Sequence, residues 1–355
     1  MGVAGSCDKA KTRLRRYGCP APASRVPPAR YGGAQGGRRV GSTEAKAEIL
    51  DGTGQRALVI VNRNARSGAN SVEPALAVLR AAGWTLVENP CRPDETAADV
   101  IRRRAPEGFD AVVLGGGDGT LNGAAPGLME TGLPFGILPL GTANDLARSL
   151  EIEPDPVEAA RVIAGGVLRP IDLGEVNGRL FFNVASIGFS ATLAKDLGRE
   201  EKRRWGKLGY ALAAFRLLRR VRPFTAWITH DGVTERVRTI QVSVGNGRHY
   251  GGGMTVESTA RPDDGKLDLY SLELDHWWRL LALLPYLRRG THGQWRDVRA
   301  FSTTACEVRT RRPMPVNTDG ELNATTPARF RLLPKVVRVF VPAGPRAGNP
   351  EGTMP

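Results

Sequence analysis

Leu114-Gly-Gly-Gly-Asp-Gly-Thr-Leu-Asn-Gly123 is the stretch whose residue types are best suited to chemistry. It follows a buried-strand pattern, Asp110-Ala-Val-Val-Leu114, and precedes a helical pattern from about Thr120. Glycines at such a junction let the backbone approach a ligand without Cβ clashes, and they expose N–H groups at a helix N-terminus. Together these features make a phosphate cradle. The simpler reading is a tight connection, but three glycines with an embedded Asp and a following Thr are costly for that alone. The segment is not a Walker A loop, because neither Gly-Lys pair in the chain is followed by Ser or Thr. It does not fit the dinucleotide fingerprint either, because Asn122 holds the third glycine position counted from Gly117 and Gly119.

A second polar turn, in Leu138-Pro-Leu-Gly-Thr-Ala-Asn-Asp-Leu-Ala-Arg148, again joins a strand to a helix, and Thr142, Asn144 and Asp145 can serve there as helix caps. A third, Asn62-Arg-Asn-Ala-Arg-Ser-Gly68, follows the first strand. In a parallel sheet all three lie at the carboxyl ends of strands and converge on one crevice. Two later segments carry carboxylates, Arg261-Pro-Asp-Asp-Gly-Lys-Leu-Asp268 and Asn317-Thr-Asp-Gly-Glu321. Each contains an Asp-Gly pair that an ordinary hairpin turn would also explain.

These turns need a scaffold. From Ala57 to about Ala164, apolar runs at 57–62, 110–114 and 135–138 alternate with helical patterns, including one from Ser71 to Ala82 and one carrying Leu146 and Leu150. Such alternation predicts an α/β domain with a parallel sheet. From about Pro170 the signals are those of strands, with hairpins at Asn177-Gly178 and Asp231-Gly232 and runs at 267–274, 305–310, 328–333 and 336–341. This half is predicted to be an all-β domain, interrupted by helical segments at about 205–221 and 276–287.

The 355 residues suffice for about two domains. No stretch approaches the ~18 uninterrupted apolar residues of a membrane-spanning helix. The four cysteines form no CxxC pair, which excludes a disulfide framework or zinc site and suits a reducing cytosol. The net charge of +14 attracts polyanions, with nucleic acid, anionic lipid and nucleotides all eligible. Residues 1–55 and 343–355 are rich in Gly and Pro without apolar periodicity and read as disordered tails. The domains are then expected at 56–168 and 169–342.

The combination of GGGDGTLN, PLGTANDLAR and the late Asn317-Thr-Asp-Gly-Glu321 resembles the bacterial soluble lipid kinases of the diacylglycerol kinase catalytic family, related to sphingosine and ceramide kinases. The likeness runs from about Ala57 to Pro342. The GGDGT element alone is shared with NAD kinases, whereas PLGTANDLAR together with Val244-Gly-Asn-Gly-Arg-His-Tyr-Gly-Gly-Gly-Met254 favours the lipid kinases. The resemblance implies an N-terminal nucleotide-binding α/β domain, a C-terminal β-sandwich, and ATP with Mg2+ between them. It implies that Gly116, Gly117, Asp118, Gly119, Thr120, Leu121 and Asn122 wrap the phosphates, with Asp118 oriented toward magnesium and Thr142 also touching nucleotide. Asn62, Arg63, Asn64, Ala65 and Arg66 match the family's first nucleotide turn, although Arg63 stands where proline is usual and Arg66 where glycine is common. A structural magnesium is implied at Asp264 and the carbonyls of Arg261 and Lys266. Glu321 is implied as the base and Asp319 as its support.

The activity so implied is phosphorylation of a hydroxyl of diacylglycerol or a related acyl lipid, by a cytoplasmic protein peripheral to the inner face of the membrane. The segment from Arg199 to Arg222, with nine Lys/Arg and two Glu around apolar residues, and the aromatic and basic 276–289 both suit an anionic lipid interface. An NAD kinase-like enzyme with a soluble substrate is the first alternative, and a catalytically weak nucleotide- or lipid-binding regulator the second. No helix-turn-helix, RRM or KH signature supports a nucleic-acid partner. The oligomeric state is open, and a homodimer is compatible with the sequence.

Overall fold

A computed structural model describes residues 48–50, 54–62, 72–89, 95–196, 222–247, 249–250, 254–255, 261–274 and 297–343, all within one compact unit, Lys46–Pro355. The turn residues Arg63, Asn64, Ala65 and Arg66, the segments 205–221 and 276–287, and the tail positions 1–47 and 344–355 lie outside the described residues.

The alternating pattern of the N-terminal half becomes β1 (Arg56–Val61), α1 (Glu73–Ala81), β2 (Thr85–Glu88), α2 (Ala97–Arg104), β3 (Ala111–Gly116), α3 (Asp118–Thr131), β4 (Phe135–Pro139), α4 (Asp145–Ser149) and α5 (Pro156–Ala164). Strands β2, β1, β3 and β4 lie side by side in parallel. Every residue of β3 and β4 is buried, as expected of parallel strands covered on both faces.

The C-terminal half supplies β5 (Val167–Val176), β6 (Arg179–Phe181), β7 (Val184–Gly188), α6 (Phe189–Asp196), β8 (Phe224–His230), β9 (Val233–Thr239), β10 (Gln241–Gly245), β11 (Leu267–Leu272), β12 (Val298–Thr303), β13 (Ala305–Thr310), β14 (Pro315–Thr318), β15 (Glu321–Thr325) and β16 (Ala328–Phe340). One sheet runs β9-β8-β13-β16-β4-β3-β1-β2, with β5 also on β16, and a second runs β12-β11-β10-β7-β14-β15. Between them, Ile187, Val242, Val244 and Leu269 pack with Ile228, Val308 and Phe330 to form a sandwich core. An α/β domain and a sandwich-like all-β domain are thus both present. Among the described residues no helix is long and apolar enough to cross a membrane.

The Asn177-Gly178, Asp231-Gly232 and Asp319-Gly320 pairs all have positive φ at both positions. That is the backbone a two-residue hairpin with right-handed strand twist requires. One expectation is corrected: the apolar runs at 328–333 and 336–341 are not two strands but the single strand β16. A register shift between Leu333 and Val337, with Lys335 at φ 52, absorbs the polar interruption. A short strand, Glu48–Ile49, pairs with Leu168 and Val167 of β5 and so precedes β1 in the fold.

Helix α3 is packed on α2 so closely that a Cβ at Gly127 would stand 2.8 Å from the Ala98 carbonyl oxygen and 2.9 Å from its Cα. Helix propensity favours alanine over glycine by about 1 kcal/mol, but overpacking against backbone costs about 1–3 kcal/mol. Gly127→Ala should therefore lower Tm. Gly123→Ala, where nothing lies within 4 Å of the new Cβ, should raise it. Thermal unfolding of the two variants in parallel checks both signs.

Candidate active site

The glycine-rich run folds as the sequence suggests. Strand β3 ends at Gly116, Gly117 is the extended N-cap residue, and α3 begins at Asp118 with no side chain capping it. An uncapped helix start leaves N–H groups and the positive end of the dipole available to an anion. Of the residues assigned to this cradle, Leu121 and Asn122 are buried within α3, so the accessible backbone is that of Gly117 to Thr120. Asn62 reaches the same turn: its N–H donates to the Gly115 carbonyl at 2.9 Å and its side-chain amide to Thr120 Oγ1 at 3.2 Å.

The two polar turns touch backbone to backbone. A Cβ on Gly141 would lie 2.6 Å from Gly117 Cα, and one on Gly117 would lie 3.0 Å from Gly141 Cα, so neither position has room for a side chain. Asn144, at φ 49, accepts from the Gly141 N–H at 2.9 Å and donates to the Gly141 carbonyl at 3.1 Å. It thereby locks its own turn and makes no side-chain cap on α4. Thr142 is left exposed at the tip of this turn.

Asp118 does not project freely from α3. Its Oδ1 accepts from the Leu146 N–H at 3.1 Å, so the carboxylate caps α4 from across the crevice. Burial raises its pKa, while the backbone N–H groups of Leu146, Asp118 itself, Asp145 and Asn144 oppose the rise. Asp319, on the β14–β15 hairpin, turns its carboxylate inward. Oδ2 accepts from Phe182 N–H at 2.7 Å, and Oδ1 from Asn183 and Val184 N–H at 3.0 Å each. Desolvation pushes it up to about 7 and the charge of Asp118 adds to the rise, against the pull of the three N–H donors. Glu321 is exposed, and its Oε1 lies 3.7 Å from where a Cβ on Gly119 would stand. Asp118, Asp319 and Glu321 therefore gather at the start of α3.

Asp118 and Asp319 have no Lys or Arg partner among the described residues; their carboxylates are held by backbone N–H groups alone. Two neighbouring carboxylates in this condition suit a divalent cation. At the other proposed metal position, Asp264 closes its own turn. Its Oδ2 accepts from Arg261 N–H at 3.2 Å and its Oδ1 from Lys266 N–H at 3.0 Å. The Arg261 carbonyl in turn accepts from Asp264 N–H at 3.4 Å. That loop offers Asp264 plus carbonyls, its neighbour Asp263 being turned toward Arg169 and Arg261. Among the described residues no three His, Cys, Asp or Glu side chains, Asp118, Asp319 and Glu321 included, are grouped so as to hold one metal ion.

Sequence reasoning missed Asp172. It is 1% exposed and joins three segments: its Oδ2 accepts from Gly265 N–H and its Oδ1 from Lys335 N–H, both at 2.8 Å, while its own N–H donates to the Pro262 carbonyl at 2.7 Å. A lone carboxylate inside the apolar run Ile171–Leu173 was the available signal, since an ionisable residue in a buried strand must have partners.

Known proteins are similar to this chain in sequence and in fold. Family models match the chain as "Diacylglycerol kinase catalytic domain" over residues 56–176 and as "YegS C-terminal NAD kinase beta sandwich-like domain" over residues 183–341. A Pseudomonas aeruginosa protein named "Probable lipid kinase YegS-like" is 33% identical over 289 residues, covering 81% of this chain and 95% of its own length. A Mycobacterium tuberculosis diacylglycerol kinase is 33% identical over 278 residues, covering 76% of this chain and 88% of its own length. The crystal structure of a diacylglycerol kinase from Bacillus anthracis str. Sterne matches with a TM-score of 0.67 at 26% identity, covering 81% of this chain and 97% of that one. The chain belongs to the diacylglycerol kinase catalytic family.

Proposed function

We propose that the protein transfers the γ-phosphoryl group of ATP to a hydroxyl of diacylglycerol or a related acyl lipid. The observation that carries this reading is the exposed carboxylate of Glu321 facing the uncapped start of α3. One side of that gap suits a phosphate chain and the other suits a hydroxyl proton. Phosphoryl transfer asks mainly for positioning and charge stabilisation, which is what this cleft offers.

In this scheme the uncapped start of α3 at Gly117 to Gly119 holds the triphosphate, the Thr120 N–H being given to the Gly117 carbonyl at 2.9 Å, and Asn62 and Thr142 border it. Glu321 accepts the proton of the attacking hydroxyl. Asp319 is a positioning residue, because its oxygens are engaged by the 182–184 backbone. By fixing the hairpin it sets where Glu321 stands two residues later. Asp118 would hold magnesium, with Asp319 behind it as the positioning residue, and Asp264 with the Arg261 and Lys266 carbonyls a second, structural ion. Magnesium supplies charge neutralisation at the phosphates.

An ATP-consumption assay against micelle-dispersed diacylglycerol, sphingosine, phosphatidylglycerol and NAD tests the proposal. Turnover confined to NAD would overturn it. Glu321→Gln should cut kcat by about 10²-fold or more with ATP affinity nearly unchanged, since a general base contributes about 10²–10⁴-fold. Full kcat in this variant, combined with a dead Asp319→Asn, would transfer the base role to Asp319.

The raised pKa of Asp319 also carries a stability consequence. A carboxyl at about 7 in the folded state and about 3.9 when unfolded binds its proton more tightly when folded. Its contribution to stability is therefore present at low pH and lost as pH rises toward 7. In EDTA, the urea midpoint of the protein should fall between pH 5 and 8, and Asp319→Asn should flatten that slope whatever its absolute stability. An equal slope in both proteins would remove Asp319 as the source.

A further inference from the structure

The net positive charge is unevenly neutralised. In the helices of the α/β half, arginines sit beside carboxylates: Arg80 with Glu73 and Glu88, Arg102 with Asp99 and Glu130, and Arg104 with Glu107. The outer face of the first sheet, at its antiparallel end, is arranged differently. Alternation along β8, β9 and β13 sends Ala226, Ile228, Val237 and Val308 into the sandwich core, and so turns Trp227, Arg236, Arg238 and Arg309 outward. The register sets Arg236 opposite Trp227 on one side and Arg309 opposite Trp227 on the other, with Arg238 opposite Thr225 in the next row. The three arginines are exposed and Trp227 is half-buried between them. Glu307, the acid of this part of the face, is shared by Arg309 at 3.6 Å and Arg329 at 3.3 Å. Arg236 and Arg238 have no carboxylate partner among the described residues.

We propose that this Arg–Trp–Arg row is a docking face for an anionic lipid surface. Guanidinium groups pair with phosphate oxygens in a fixed fork, and each basic residue near an anionic bilayer adds to attraction. A tryptophan between them suits the headgroup layer, where an amphipathic ring prefers to sit. Cross-strand pairing holds the three side chains in one row on a rigid sheet, so little ordering is needed on contact. The choice of occupant rests on the lipid-kinase reading, because an enzyme whose acceptor resides in a bilayer must reach that bilayer.

The test is co-sedimentation of the full chain with vesicles of phosphatidylcholine and phosphatidylglycerol at 0.1 M salt, with pure phosphatidylcholine vesicles as the uncharged control. Arg236→Glu/Arg238→Glu should lower partitioning onto the anionic vesicles by about 10-fold or more. The charge-matched control Arg80→Glu/Arg161→Glu, at paired sites on α1 and α5, should lose less than about 3-fold. Turnover on dispersed short-chain diacylglycerol should stay at the wild-type level in Arg236→Glu/Arg238→Glu. Arg236→Gln/Arg238→Gln, which removes charge without reversing it, carries the same comparison should the reversed pair fail to fold. Equal losses in the two reversed pairs, no anionic-vesicle binding by the wild type, or a loss confined to duplex DNA binding would each overturn the proposal. Vesicle binding needs no turnover, so a wild type that binds vesicles but phosphorylates no lipid would sink the kinase reading and leave the docking face standing.

Discussion

The cleft depends on two carboxylates held by backbone N–H groups and by no cation among the described residues. Asp118 starts α3 but caps α4, and Asp319 sits on a hairpin but binds the strand entry at 182–184. Each therefore fastens one element to another; burial raises both pKa values, and the charge of Asp118 adds to the rise at Asp319. Replacing either with a neutral side chain exchanges electrostatic strain for lost hydrogen bonds, and a bound cation would relieve the strain while keeping the bonds. The close contact of Gly117 with Gly141 belongs to the same arrangement, because it brings the start of α4 within reach of Asp118.

Strand β16 provides the continuity on which this geometry relies. Its first residues pair with β13 in the sandwich, and Val339 pairs with Phe135 in the parallel sheet. The two halves of the fold thus share one hydrogen-bonded sheet rather than being two bodies in contact. Asp172 secures the bend of that strand at Lys335 and, through Gly265, the loop that contains Asp264. A buried Asp inside β5 is accommodated here because its two side-chain oxygens each accept from a backbone N–H group.

What was legible in the sequence were features that act locally. Asn-Gly and Asp-Gly pairs announce their hairpins, and Gly115 to Gly117 announce a turn with no room for side chains, because each depends on its own backbone angles or bulk. The apolar runs of β1, β3 and β4 were equally plain, being buried on both faces. What was hidden depends on register or on contacts between distant segments. Nothing near Pro334 tells that 328–333 and 336–341 share one strand, since the bulge is held by Asp172, 163 residues earlier. Asn144 reads as a helix cap because its bonds to Gly141 require a left-handed backbone that composition does not reveal. The row of Arg236, Trp227 and Arg309 exists only once three strands are aligned.

The same alignment explains why a basic chain can carry an acidic cleft. Asp118, Asp319 and Glu321 converge at the place proposed for a polyanionic nucleotide, and the cradle opposite them offers N–H dipoles rather than lysine or arginine among the described residues. A helix N-terminus carries about half an elementary charge, which is too little to offset both a triphosphate and three carboxylates. On the kinase reading, the cleft therefore discriminates against free nucleotide and accepts it with its metal, so charge balance itself makes binding depend on the ion. The arginines of the outer sheet face stand apart from that requirement, and there a surface of opposite charge can be met without competing with the nucleotide.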